Sequence, residues 1–130
     1  MASSNQATIL VVDDDPCIRE LLSLHLTNAG YDVRVAEDAI VAGHLLLKQL
    51  PDLVLLDVDM PHMDGFQLME ALKADQTVRH VPVLFLTANE EGKERGNKLG
   101  AVGYLPKPIL ASQLLAEVAR HIPGAPQPIG

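Results

Sequence analysis

The sequence predicts an α/β domain built on a single parallel sheet, and two regularities support that prediction. Short apolar runs recur along the chain, each bounded by Gly, Pro, Asp or Asn. Between these runs lie segments in which apolar residues recur at helical spacing. Strands that alternate with helices form right-handed βαβ units, and such units build parallel sheets. The expected strands cover residues 8–12, 32–36, 53–57, 83–87 and 102–106.

The polarity of each run indicates its place in the sheet. Residues 8–12, 53–57 and 83–87 are almost entirely apolar, as strands covered by helices on both faces must be. Residues 32–36 alternate between apolar and polar side chains, which suits an edge strand. The run 102–106 is the weakest of the set.

The first helix is expected to begin with Asp15 as its N-cap and to end before Gly30. Four apolar residues would form its inner stripe: Ile18, Leu21, Leu22 and Ala29. Three polar residues would face outward: Arg19, Glu20 and Asn28. Similar start and stop signals predict further helices over about residues 38–50, 65–74, 90–99 and 110–121.

The helix over residues 90–99 is expected to be the weakest of these helices. It contains Gly92 and Gly96, and a glycine inside a helix costs about 1 kcal/mol relative to alanine. Its single large apolar residue is Leu99, so little apolar surface is available to anchor it. We therefore expect this segment to be the most easily displaced element of the domain.

Composition excludes several classes of protein. The chain has 130 residues and a formal net charge of −7, which argues against nucleic acid or anionic lipid as the main partner. The N-terminal MASSNQ lacks the basic and apolar regions of a signal peptide, and no apolar run is long enough to span a membrane. The single cysteine, Cys17, permits no internal disulfide and fits a reducing compartment.

Chemically useful side chains follow four of the expected strands. Asp13 and Asp14 follow the first, Asp57 ends the third, Thr87 ends the fourth, and Lys107 follows the fifth. Because ligands of parallel α/β sheets bind at the carboxyl ends of the strands, these side chains are expected at one rim. Clustered carboxylates favour a counter-cation, and oxygen ligands favour Mg²⁺ or Mn²⁺. A lysine and a hydroxyl beside them suit phosphoryl oxygens, so phosphoryl chemistry is expected.

Four motifs occur in order along the chain: the Asp13-Asp14 pair, LLDVDMPHMDG, LTA and YLPKP. Together they resemble the receiver domain of two-component response regulators over about residues 7–122. The resemblance implies a flavodoxin-like (βα)5 fold with strand order 2-1-3-4-5. Residues 1–6 are then expected to be a disordered N-terminus, and residues 123–130 a flexible tail or the start of a linker.

The resemblance also implies a function. In this family the aspartate at the end of the third strand accepts a phosphoryl group from the phosphohistidine of a histidine kinase. By motif, that residue is Asp57. Asp14 and Asp57 would ligate Mg²⁺ directly, Asp59 would supply its backbone carbonyl, and Asp13 would act through a bound water. The protein is not expected to be an enzyme beyond catalysing its own phosphorylation and dephosphorylation.

The remaining motif residues would transmit the signal. Thr87 and Lys107 would each contact a phosphoryl oxygen, and the Lys107–Pro108 bond is expected to be cis. Tyr104 would be the switch residue that turns inward as Thr87 moves. The face formed by the fourth helix, the fifth strand and the last helix would bind an output domain or effector protein. Ile18 and Pro108 would contact the kinase or a phosphotransfer protein. The protein is expected to act in the cytoplasm.

Two alternatives remain at this point. Asp57-Val58-Asp59 also fits the DxD signature of haloacid-dehalogenase-like phosphatases, although that motif normally lies on the first strand of their fold. A degenerate receiver that acts only as a binding module is the other alternative. Asp59 and Asn89 depart from the commonest receiver pattern, which affects the expected lifetime of the phosphorylated form.

Overall fold

Residues 6–58, 65–88 and 90–122 are described by the computed structural model, and they alternate strands with helices. The expectations for residues 1–5, Asp59, Asn89 and 123–130 lie outside this described part. The elements, in chain order, are β1 (Thr8–Val12), α1 (Pro16–Asn28), β2 (Asp32–Ala36), α2 (Ala39–Lys48), β3 (Leu53–Asp57), α3 (Gly65–Ala74), β4 (Val83–Thr87), α4 (Glu90–Lys98), β5 (Gly103–Pro106) and α5 (Ala111–His121).

The strands form one parallel sheet in the order β2-β1-β3-β4-β5, which confirms the expected fold and strand order. β2 is an edge strand, as its alternating polarity predicted. In register, Val12 of β1 lies beside Leu56 of β3, and Asp57 lies beside Leu86 of β4. The chain therefore leaves β1 and β3 at the same edge of the sheet.

Helices cover both faces of the sheet and create two separate cores. On one face, α1 and α5 bury Leu22, Leu26, Leu114 and Val118 against the sheet. On the other face, α2 and α3 pack with the partly buried Leu99 that follows α4. β1, β3 and β4 are fully buried because they are covered on both sides. No helix in the described part of the chain is both long and apolar enough to cross a membrane.

The predicted inner stripe of α1 is partly wrong. Leu22 and Leu26, one turn apart, are fully buried, whereas Leu21 is 38% exposed. The helix presents a narrow face to the sheet, and a residue one position from its centre already lies at the margin. Asp15 is the N-cap as predicted, since its Oδ1 accepts a hydrogen bond of 2.9 Å from the Cys17 N–H. Arg19 is half-buried instead of outward-facing.

α4 approaches the sheet through a glycine. A Cβ built on Gly96 would lie 2.6 Å from Cδ2 of Phe85, whose ring is fully buried in β4. The prediction that Gly96 simply weakens the helix therefore missed its packing role. The absence of a side chain allows the helix backbone to lie directly on the aromatic ring.

Two cations on α4 cover aromatic rings of neighbouring elements. Lys93 Nζ lies 4.8 Å from the centroid of the Tyr104 ring, and the guanidinium carbon of Arg95 lies 4.2 Å from that of Phe66. The Phe66 and Phe85 rings in turn meet edge to face, with centroids 5.3 Å apart. Cation–π contacts thus supply part of the attachment that apolar side chains provide in the other helices.

Candidate functional site

Three carboxylates converge at the carboxyl edge of the sheet. One oxygen from each of Asp13, Asp14 and Asp57 lies within 4.8 Å of the other two. β1 and β3 are neighbours in the sheet, so the residues that end them are held side by side. Asp13 and Asp57 are buried, with 0% and 1% exposure, whereas Asp14 is exposed. The cluster is therefore built into the fold and open on the side of Asp14.

Lys107 reaches this cluster from the end of β5. Its Nζ donates a hydrogen bond of 3.1 Å to Asp57 Oδ1 and lies 3.3 Å from Asp13 Oδ2. Partial burial alone would lower the pKa of Lys107, but the charges of Asp57 and Asp13 outweigh it and raise this pKa overall. The ammonium group is thus fully charged at neutral pH and holds two of the three carboxylates.

The contacts of Asp13 bear on whether the carboxylate cluster could hold a cation. Its N–H donates to the Ala36 carbonyl at 3.1 Å, and its Oδ1 accepts from the Asp15 N–H at 2.9 Å. Its Oδ2 is buried and accepts no hydrogen bond from the described residues, although Lys107 faces it. One ammonium group among three carboxylates leaves an excess of negative charge. An oxygen-only cluster of this kind fits Mg²⁺ or Mn²⁺.

Thr87 lies at the end of β4, next to the lysine. The Lys107 N–H donates a hydrogen bond of 2.9 Å to the Thr87 carbonyl oxygen, which fixes the two backbones beside each other. The Thr87 side chain is buried. The Lys107–Pro108 peptide bond is cis, which confirms the expectation from the motif.

Gly65, at the start of α3, lies directly against the site. Its N–H donates to the Val58 carbonyl at 3.2 Å. A Cβ at this position would overlap the carbonyl oxygen of Asp57. The sequence analysis predicted only that a helix begins here, whereas the structure shows that a side chain would collide with the backbone of the central aspartate.

The remaining candidate residues lie outside the carboxylate cluster. Tyr104 of β5 lies beside Phe85, is half-buried, and has its ring beneath Lys93 Nζ. Pro108 is exposed next to Lys107, which is compatible with a docking contact. Ile18 is half-buried and packs against the core beneath α1. Nothing in these contacts tests the docking prediction, so it stays a prediction.

Arg19 is a site-adjacent residue that the sequence interpretation missed. Its Nη1 donates a hydrogen bond of 2.9 Å to the backbone carbonyl oxygen of Asp13. The sequence feature that could have revealed this contact is a long cationic side chain one turn inside the helix that begins just after the acidic pair. Such a side chain can reach back over the start of its own helix to the preceding loop.

Comparison with known proteins identifies the same unit. The family model "Response regulator receiver domain" matches residues 9–119. The chain is 42% identical over 112 residues to the DNA-binding dual master transcriptional regulator RpaA of Synechocystis, covering 85% of this chain and 46% of that protein. It is 44% identical over 114 residues to response regulator PleD of Caulobacter vibrioides, covering 86% and 25%.

Solved structures agree with these matches. Chemotaxis response regulator CheY4 of Vibrio cholerae superposes with a TM-score of 0.85 at 35% identity, covering 91% of this chain and all of that one. The receiver domain of NtrX from Brucella abortus gives a TM-score of 0.82 at 29% identity, covering 90% and 99%. The chain spans less than half the length of the curated relatives RpaA and PleD.

The strand order also separates this chain from the phosphatase alternative. Asp57 ends the third strand along the chain, and the acidic pair precedes it on a neighbouring strand. That arrangement differs from a phosphatase whose nucleophile follows the first strand. The family match, the relatives and the topology agree, and the chain belongs to the response regulator receiver domain family.

Proposed function

We propose that Asp57 accepts a phosphoryl group from the phosphohistidine of a sensor histidine kinase or a phosphotransfer protein. The observation that supports this proposal best is the contact of Lys107 Nζ with Asp57 Oδ1 at 3.1 Å, beside two further carboxylates. A buried carboxylate paired with a lysine at the central strand end is a nucleophile beside a group that binds negative charge. We propose residues 7–122 as the receiver unit.

The chemistry follows from these positions. A carboxylate oxygen of Asp57 attacks the phosphorus in line with the departing imidazole nitrogen. The new bond is O–P and the broken bond is P–N. The imidazole retains the electron pair and takes up a proton. Lys107 and Thr87 each contact one phosphoryl oxygen, and Lys107 moves from the carboxylate to the transferred group.

Asp14 and Asp57, together with the Asp59 backbone carbonyl, would hold Mg²⁺ directly, and Asp13 would act through a water molecule. When bound, the cation neutralises negative charge on the phosphoryl oxygens and on the acidic rim. Mn²⁺ fits the same oxygen ligands.

The proposed output route begins at Thr87 and passes to Tyr104. A population shift toward the form in which Thr87 contacts the phosphoryl group would turn Tyr104 inward and change the face formed by α4, β5 and α5. That face would bind an output domain or effector protein, and Ile18 and Pro108 would contact the phosphodonor protein. We place this activity in the cytoplasm, with no reaction on external substrates.

Phosphorylation by a small phosphodonor tests the assignment of the acceptor. The protein is incubated with acetyl phosphate and Mg²⁺ and examined by intact-mass spectrometry. We expect a mass increase of one phosphoryl group in the wild type and in Asp75→Asn, whose exposed carboxylate lies after α3. The increase should disappear in Asp57→Asn. An unmodified wild type, or a modified Asp57→Asn, would contradict the proposal.

A further inference from the structure

The side chain of Arg19 links α1 to the loop that carries the acidic pair. It leaves the second turn of the helix, lies half-buried, and donates from Nη1 to the carbonyl oxygen of Asp13 at 2.9 Å. The Arg19 N–H makes the ordinary first hydrogen bond of the helix, to the carbonyl of the N-cap Asp15 at 3.1 Å. The hydrogen bond from the guanidinium group ties α1 to the loop in addition to that helical bond.

The oxygen that Arg19 holds belongs to the peptide unit between Asp13 and Asp14. A peptide unit is planar, so an oxygen held in place also orients the nitrogen and Cα of the following residue. Asp13 is already fixed at its N–H and its Oδ1, and Lys107 faces its Oδ2. By fixing this peptide plane, the hydrogen bond from Arg19 sets the direction in which the Asp14 side chain projects from the loop.

We infer that Arg19 is a positioning residue that strengthens divalent-cation binding by orienting Asp14 toward Asp13 and Asp57. The inference rests on the proposed function, because it concerns the cation that the proposed chemistry uses. Groups that orient metal ligands without touching the metal change its affinity by about 10- to 100-fold when they are removed.

Charge repulsion alone predicts the opposite change in cation affinity when Arg19 is replaced, and this difference makes the inference testable. A guanidinium charge near the cluster repels a divalent cation, so removing that charge should by itself strengthen binding. Loss of the hydrogen bond should weaken binding, because Asp14 is no longer held in place. The direction of the change in a neutral variant therefore distinguishes a positioning role from a purely electrostatic one.

The experiment measures Mn²⁺ binding to the full chain by electron paramagnetic resonance, with Mg²⁺ competition as a second reading. We expect Arg19→Gln to raise the dissociation constant for Mn²⁺ by about tenfold. Arg19→Lys keeps the charge and one donor group, and it should recover part of the affinity. The matched control is Arg34→Gln, because Arg34 on β2 donates at 2.9 Å to the side chain of the exposed Gln49, which follows α2.

Each outcome is decisive. Wild-type affinity or tighter binding in folded Arg19→Gln would overturn the inference and leave the proposed function intact. A wild type that binds neither Mn²⁺ nor Mg²⁺ would overturn the proposed function and the inference with it. Circular dichroism establishes folding, and if Arg19→Gln does not fold, Arg19→Lys decides the matter. Its changed donor geometry should still weaken binding severalfold, and unchanged affinity would overturn the inference.

Discussion

The Lys93 ammonium group lies 4.8 Å from the centroid of the Tyr104 ring and joins α4 to β5. We expect Lys93→Gln to lose about 0.5–1 kcal/mol of unfolding free energy, the usual value of a partly exposed cation–π contact. A double-mutant cycle with Tyr104→Leu, measured by urea denaturation, isolates that contact. Lys98→Gln on the same helix is the control and should show no coupling to Tyr104. Equal coupling for both lysines would contradict a specific contact.

Two glycines inside helices should respond to alanine in opposite directions. Gly96→Ala places a methyl group against the Phe85 ring, and a buried ring cannot move away without disturbing the core. We expect it to lower stability despite the better helix propensity of alanine. At Gly43, no other described residue comes within 4 Å of a new Cβ apart from the chain neighbours and the backbone of its own helix, so Gly43→Ala should raise stability by up to about 1 kcal/mol. Thermal denaturation of both variants provides the comparison, and stabilisation by Gly96→Ala would show that α4 is not seated on Phe85.

Substitutions of Asp14 and Asp15, in the loop between β1 and α1, should affect metal binding and stability separately. Asp14→Ala should abolish Mg²⁺-dependent phosphorylation by acetyl phosphate and leave the fold intact, because Asp14 is exposed and removal of its charge relieves repulsion. Asp15→Ala should instead cost about 1 kcal/mol of stability through loss of the N-cap and retain the Mg²⁺ requirement. Phosphorylation of Asp14→Ala at the normal rate and with the normal Mg²⁺ dependence would remove Asp14 from the site.

Tyr31 should make stability decline at alkaline pH. Burial raises the pKa of its phenol above the ordinary value of 10.0. The unfolded chain therefore loses this proton first, so the contribution of Tyr31 is complete below about pH 10 and is lost as the pH rises through the folded-state pKa. In Tyr104→Phe, where Tyr31 is the remaining tyrosine, the phenolate absorbance of the folded protein should appear at a pH above 10.0, the ordinary pKa of tyrosine. Tyr31→Phe should have a shallower alkaline decline in unfolding free energy, and an identical decline would contradict this expectation.

The rim of the site could be predicted because strand ends in a parallel sheet are fixed by topology. Apolar runs located the ends of the strands, and the residues that follow them had to meet at one edge. Asp13, Asp57 and Lys107 meet as expected, and the lysine contacts both carboxylates. Asp59 lies outside the described residues.

The contacts of long side chains could not be predicted in the same way. Helical periodicity gives the direction of the Cβ atom, and it assigned Arg19 to the outer face of α1. The guanidinium group lies several bonds farther on and returns to the preceding loop. The same limit applies to Lys93 and Arg95, whose aromatic partners come from other elements of the fold. Such contacts depend on tertiary packing, which a local pattern does not contain.

The hydrogen bond from the Lys107 N–H to the Thr87 carbonyl has a consequence for how such domains can diverge. It closes the ladder between β4 and β5, where Thr87 also lies beside Pro106. The chain leaves the sheet after Thr87 and rejoins it at Gly103, which lies beside Leu84 of β4. Connecting segments of other lengths and sequences can be joined at those points without displacing the threonine or the lysine. New partner specificities can arise in this segment while the residues proposed for phosphoryl transfer stay unchanged.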